Sequence, residues 1–186
     1  MVIYIYCQKD LYRKTGCFDL TCSGFAQMGS VVALRASLKP CSLSFGAQYQ
    51  LSFSILLDSG QWWLKIGPNV IGYWPIALVD NLKRSALMVE RGGEVYSEKV
   101  KKSPHTNTQM GSGSSAHFRY GAACYANNLR IQDASQQLKF PESLQSWTDK
   151  IYSYNTFYDV NGPSAKPIFY FGGPCTYTDP PKKGRK

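Results

Sequence analysis

Between residues 48 and 74 the chain alternates apolar and polar side chains with a regularity that antiparallel β structure accommodates best. Tyr49, Leu51, Phe53, Ile55 and Leu57 are interleaved with Gln48, Gln50, Ser52 and Ser54. Successive side chains of a strand point to opposite faces, so the pattern predicts a strand over Gln48–Leu57 with its apolar set on one side. A helix would scatter the same residues around its circumference. Asp58-Ser59-Gly60 is turn sequence, and Gln61–Ile66 is predicted as the returning strand of a hairpin. Trp63 breaks the alternation there. Pro68-Asn69 turns the chain again, and Val70–Trp74 supplies a third strand.

The rest of the chain punctuates in the same way. Pro75 suits the first position of a short helix carrying Ile76, Val79 and Leu82. Further strands are predicted over Ala86–Glu90, ending at Gly92-Gly93, over Ala122–Gln132 with Tyr125, Leu129 and Ile131 on one face, and over Lys166–Phe171 before Gly172-Gly173-Pro174. Glu94–Glu98 is expected to be extended, the Gly/Ser-rich stretch Pro104–Ser115 to be loop, and Lys139–Asn161 to be irregular. An aromatic content of 14% favours strands over helices. Many short strands separated by turns point to an all-β chain, an antiparallel β-sandwich or barrel. No internal repeat or linker is visible in the 186 residues, so one domain over residues 1–175 is expected, followed by a basic, disordered tail over 176–186.

Several function classes are disfavoured. The net charge of +9 invites an anionic partner, but it also follows from the scarcity of acids, 12 against 21 basic residues. With no basic helix and no zinc-finger spacing, nucleic-acid binding is not expected. The six cysteines, Cys7, Cys17, Cys22, Cys41, Cys124 and Cys175, include no CxxC pair, and only His105 and His117 offer imidazoles, so no metal or other cofactor is expected. Cys17 and Cys22 bracket a short turn. Either a disulfide there, implying an oxidising compartment, or buried thiols fits the spacing. The pairing of the other four stays open. No signal peptide is visible in this chain, and no apolar run approaches a membrane span. A serine hydrolase reading lacks a Gly-x-Ser-x-Gly elbow, and His105 and His117 have no nucleophile at a recognisable spacing.

Six segments carry a resemblance. They are Thr15-Gly16-Cys17-Phe18-Asp19-Leu20-Thr21-Cys22-Ser23-Gly24-Phe25, Gly60-Gln61-Trp62-Trp63-Leu64, Ile71-Gly72-Tyr73-Trp74-Pro75, Val89-Glu90-Arg91-Gly92-Gly93-Glu94-Val95, Thr108-Gln109-Met110-Gly111-Ser112-Gly113 and Phe169-Tyr170-Phe171-Gly172-Gly173-Pro174. In this order they resemble the plant neprosin-like family of glutamic peptidases, which cleave beside proline. The resemblance implies an antiparallel β-sandwich, secretion of the full-length parent, a proline-containing peptide as substrate, and two catalytic glutamates. The second of these falls on Glu94. The first lies upstream of the stretch matching Tyr4–Gln27, so the chain is expected to be an N-terminally truncated catalytic domain. Missing strands would leave open sheet edges, and the isolated chain is expected to be poorly stable or to pair with a partner strand. The resemblance keeps the Cys17–Cys22 pair, whereas Phe157 stands where the family tends to have a cysteine. Arg91 stands where the family has Trp, and a guanidinium beside a carboxylate would hold it ionised.

The implied chemistry is a water held between two carboxylates, one taking its proton while the other, protonated, donates to the scissile carbonyl. Losing one partner forfeits about 10²–10⁴ in rate from acid–base catalysis alone. A lone chain with only Glu94 is therefore expected to be inactive. Gly92-Gly93 would let the backbone bend and present Glu94; without the resemblance, an exposed strand glutamate is the plainer reading, with Glu90 a rival in the same segment. Gln109 offers an amide donor for an oxyanion, against the plainer role of satisfying loop backbone. Trp62, Trp63, Tyr73 and Trp74 offer an aromatic groove for a proline-containing peptide, against plain core packing. The alternative to a peptidase homologue is a non-catalytic extracellular binding module using the aromatic face of the sandwich.

Overall fold

A computed structural model describes residues 24–32, 39–99, 102, 105–160 and 166–175. The tail over 176–186 and the Cys17–Cys22 pair lie outside the described residues. The described chain is all-β with antiparallel pairing throughout, as the alternation predicts. It forms two compact units, one drawn from Met1–Cys41 and Gln48–Glu90, the other from Ser42–Ala47 and Arg91–Lys186.

The first unit holds a four-stranded sheet, in the order β1 (Ala26–Gln27), β4 (Asn69–Pro75), β3 (Gln61–Ile66), β2 (Phe53–Asp58). The hairpin and third strand fall where the alternation and turns predict them. Ser59 takes φ 49° and Gly60 φ 74°, the left-handed pair that a tight hairpin between twisted strands requires. β2 is shorter than predicted: residues 48–52 carry the alternation but are not strand. It ends the sheet, and Phe53 and Ile55 keep 37% and 38% of their surface exposed. Leu64 and Trp62 are buried on β3, and the Trp62 indole N–H donates to the Leu82 carbonyl at 2.9 Å. That bond ties the chain after β4 back to the sheet. The predicted helix there is instead two single 3-10 turns, Ile76–Leu78 and Asp80–Leu82, with Pro75 closing β4 rather than opening a helix. The strand predicted over Ala86–Glu90 does not form. Its apolar residues Leu87, Met88 and Val89 are exposed, with no neighbouring strand among the described residues to take their backbone hydrogen bonds.

The second unit is built on β9 (Ile168–Gly172), flanked by β5 (Cys124–Asn127) and β8 (Asn155–Asp159), with a small hairpin of β6 (Ile131–Gln132) and β7 (Leu138–Lys139) beside it. The single strand predicted over Ala122–Gln132 is broken at Asn128, which takes φ 50°, so β5 and β6 belong to different sheets. β8 lies inside the stretch expected to be irregular. Every residue of Asn155–Asp159 is half-buried, and a strand covered on both faces carries no alternation to read. Ile168 and Tyr170 of β9 are buried with Ala116 and Ala123, and Tyr125 and Phe157 pack against this cluster. Asn155 secures the turn that holds Ala116: its amide oxygen accepts from the Ala116 N–H at 2.8 Å, and its amide nitrogen donates to the Ser115 hydroxyl at 2.9 Å.

Arg119 ends that turn at φ 56°, ψ −150°, a conformation that is almost exclusively glycine's. Such strain costs about 1–3 kcal/mol. In return, the guanidinium lies 4.6 Å over the Phe157 ring and 3.6 Å from the Asp159 carboxylate, with 56% of its side chain exposed. A cation–ring contact of this kind returns about 0.5–1 kcal/mol and a partly exposed ion pair about 0–1 kcal/mol. The contacts roughly balance the strain and give no surplus.

Two stability predictions follow from this unit. Arg119→Gly and Arg119→Ala lose the same contacts, but only alanine keeps the strain, so the glycine variant should be the more stable by about 1 kcal/mol or more in denaturant titrations. Burial pushes the Tyr125, Tyr154 and Tyr170 phenols upward, and Tyr120 beside Tyr125 and Asp159 near Tyr170 add to it at those two. The folded state therefore holds protons that the unfolded chain releases near pH 10. Their stabilising contribution is whole below about pH 10 and is lost as pH rises toward the folded values. Thermal melts followed by tyrosinate absorbance should show the melting temperature falling on the alkaline side, less steeply in Tyr154→Phe.

Candidate functional site

Alternation along β9 gives its sheet two unlike faces. Tyr170 lies opposite Tyr125 and Phe157, on the face that packs against Ala116 and Ala123. Phe171 lies opposite Cys124 and Thr156, and Phe169 opposite Ala126 and Tyr158, so these residues line the other face. The Phe169 and Phe171 rings stack there with centroids 5.7 Å apart.

Gly92 and Gly93 lie across this second face. A Cβ added at Gly92 would sit 3.9 Å from the Phe169 ring. One added at Gly93 would sit 2.5 Å from Met110 Cγ and 2.8 Å from Met110 Sδ, closer than real side chains approach, and 3.0 Å from Phe171, a tight contact. The glycine therefore lets the backbone press onto Met110 and Phe171. Met110 is itself strapped to the end of β9, since its N–H donates to the Gly173 carbonyl at 2.8 Å. The Tyr154 hydroxyl donates to the Thr108 carbonyl at 2.7 Å from the opposite side of the loop.

Glu94 follows Gly93, and Gln109 precedes Met110. The Gly93–Met110 contact thus brings the segments of the two candidate residues together from 15 positions apart. Both are exposed, and Glu94 lies in irregular chain rather than in a strand. Among the described residues Glu94 forms no hydrogen bond or ion pair. The ion pair expected between Arg91 and Glu94 is not formed: Arg91 directs its guanidinium to the Arg130 carbonyl at 2.9 Å. Arg130 in turn sits 3.6 Å over the Phe140 ring. Gln109 is held by what Gly113 lacks. Gly113 takes φ 80°, and a Cβ there would come within 2.8 Å of both Gln109 Cδ and Nε2. Gly111, at φ 63°, leaves the corresponding room for Cys124, whose thiol burial pushes up in pKa. Cys124 and Cys175 carry free thiols. Phe157 fills its position on β8 as packing, stacked against Tyr170.

The chain also matches the Neprosin family model over residues 1–174. It belongs to the Neprosin family. The Neprosin match runs across both units and includes all six segments quoted above. The Thr-Gln-Met-Gly-Ser-Gly segment gains a physical account: its methionine is the wedge under Gly93, and its last glycine seats Gln109. Sequence reasoning quoted Met110 within a motif and gave it no role. The signal available was its position between a candidate polar residue and a glycine.

The four aromatic candidates lie in the first unit and do not share one surface. Trp62 is opposite Trp74 and Trp63 opposite Tyr73, so the pairs occupy opposite faces of the sheet. Trp62 is buried, and Trp74 meets Phe25 edge-on at 4.6 Å. Trp63 and Tyr73 are half-buried, with ring centroids 4.9 Å apart, and the Trp63 indole donates to the Asp58 carbonyl at 3.2 Å. No cluster of three or more metal-ligating side chains occurs among the described residues, and no helix among them is long and apolar enough to cross a membrane.

Substitutions at the two contact glycines should both destabilise. Gly113→Ala meets both an unfavourable φ and the Gln109 side chain, and should cost about 1–3 kcal/mol. Gly93→Ala must displace Met110 and Phe171, a cost of the same size. Gly93→Ala paired with Met110→Ala should recover part of the loss, as measured by a double-mutant cycle in urea.

Proposed function

We propose that this chain is a scaffold of the proline-directed glutamic peptidase type, in which Glu94 is one of the two acids that grip the hydrolytic water. Gln109, on the adjoining segment, is the amide that steadies the carbonyl oxygen. The observation that supports this reading is the Gly93–Met110 contact, which holds the two segments against one sheet face and leaves both side chains open to solvent. A carboxylate and an amide on adjoining segments suit a peptide bond, which offers a carbonyl to the donor and a scissile carbon to the activated water.

One carboxylate does not divide into acid and base. The 186-residue chain by itself is proposed to be inactive, and the acid that completes it comes from the segment that precedes the matched region in the family. The parent protein is proposed to act outside the cell on proline-containing polypeptides. Of the aromatic candidates, Trp62 is committed to packing and to Leu82, whereas Trp63 and Tyr73 pair half-buried on the other face of their own sheet.

The test is cleavage of proline-containing peptides at acidic pH by the purified chain, beside Glu94→Gln. No cleavage is expected from either. A version extended upstream to include the family's first glutamate should cleave beside proline, and Glu94→Gln in that version should lower kcat by about 10² or more with little change in KM. Cleavage by the 186-residue chain that disappears in Glu94→Gln would overturn the claim of inactivity. Cleavage by the extended version that survives Glu94→Gln would overturn the role of Glu94.

A further inference from the structure

Two guanidinium groups meet at the open end of the β6–β7 hairpin without a counter-charge. Arg91 donates from Nη2 to the Arg130 carbonyl at 2.9 Å. The Arg130 guanidinium lies 3.6 Å over the Phe140 ring, and its Nε donates to the Asn128 side chain at 3.2 Å. None of these partners carries a net charge. The hairpin's own acids pair elsewhere: Lys139 holds Asp133 at 2.7 Å and Glu142 at 3.1 Å. Among the described residues no carboxylate pairs with Arg91 or Arg130, Glu90 and Glu94 included. Arg91 is exposed overall, yet the chain around its head group withdraws enough water to lower its pKa. Because Arg91 rests on the Arg130 main chain, the two head groups stand within about 10 Å, the screening length at 0.1 M salt. Two like charges held that close both gain from an anion placed beside them.

We propose that Arg91 and Arg130 receive a carboxylate of the peptide held at Glu94, so that the substrate is a proline-containing polypeptide with a negative charge near the scissile bond. The identity of the ligand as a peptide rests on the peptidase reading above; the site for its charge rests on the two arginines. Gly92 beside Phe169 and Gly93 against Met110 and Phe171 fix the chain between Arg91 and Glu94. Three residues of extended chain span about 10 Å. A peptide running alongside covers that distance with as many residues, so its carboxylate lies about three residues from the bond at Glu94. Arg91 spends one N–H on the Arg130 carbonyl and keeps the rest of its planar fork for a ligand. A carboxylate accepts two parallel N–H bonds from such a fork, whereas a neutral amide offers one oxygen and no charge. A lysine at the same place in the peptide is repelled by both arginines.

The test is fluorescence anisotropy of the purified 186-residue chain with end-blocked, proline-containing peptides at about pH 6.5, where a glutamate side chain is ionised. The peptides differ at one position, three residues before or after proline, which holds Glu, Gln or Lys. A Gln peptide that ends there in a free carboxylate separates a terminal carboxylate from a side-chain one. A carboxylate peptide of either kind should bind about fivefold more tightly than its blocked Gln counterpart, with the Lys peptide weakest. Arg91→Gln should abolish that preference and Arg91→Lys should keep part of it. Arg84→Gln, which removes the same charge from an exposed place in the first unit, should leave it intact. Equal affinity across the series, or no measurable binding, overturns the proposal. So does a preference that Arg84→Gln lowers as much as Arg91→Gln does. The version extended upstream supplies the second arm. Cleavage there with the same kcat/KM on carboxylate and neutral peptides overturns this proposal alone. Failure to cleave, with the binding preference intact, overturns the reading of Glu94 and leaves the carboxylate site standing.

Discussion

The close approach of Gly93 to Met110 and Phe171 is the contact on which the candidate site depends. It works because β9 supplies both sides of it. Phe171 provides the surface beneath, and Gly173, just past the strand, accepts the hydrogen bond that keeps Met110 in place. Gly172 and Gly173 have to be glycines for a related reason, since added Cβ atoms would run into the Ser114 and Ser153 carbonyls. Three glycine-containing segments thus meet at one end of one strand. Each omits a side chain so that another part of the chain can come close, which is how a short loop is held by packing alone.

The two faces of that sheet do different work. One presses against the segment carrying Glu94. The other buries Tyr170 and Ile168 with Ala116 and Ala123, and its rim carries the strained Arg119. The buried face supplies stability: an aromatic ring wholly removed from water is worth about 1.5–3 kcal/mol, more than any single polar contact described. That rigidity lets the irregular segments above and beside the sheet hold defined positions despite having little regular structure of their own.

In the first unit the meander was legible because the strand sequences are bounded by turn residues with backbone requirements that few other residues meet, although on β2 the apolar Phe53 and Ile55 are more exposed than Ser54 between them. Even the parity of Trp62 and Trp63 could be read from their adjacency in a strand. Their cross-strand partners, Trp74 and Tyr73, depend on the register, which shifts between Leu64 and Lys65. β8 was invisible because both its faces are covered. Residues 86–90 misled because apolar sequence is necessary for a strand but a neighbour to pair with is also required.

Sequence alone determined the all-β class, the hairpin turns, the family and the identity of Glu94 as a candidate acid, because each rests on local geometry or on an ordered set of motifs. Tertiary structure decided that Glu94 and Gln109 belong to adjoining segments, that Arg91 turns away from Glu94 to Arg130, and that Arg119 is held under strain beside Asp159. These facts concern residues distant in the chain, whose meeting depends on how glycine backbones pack against β9. No local pattern encodes such a meeting, because the missing side chain and the atom that fills its place lie on different segments.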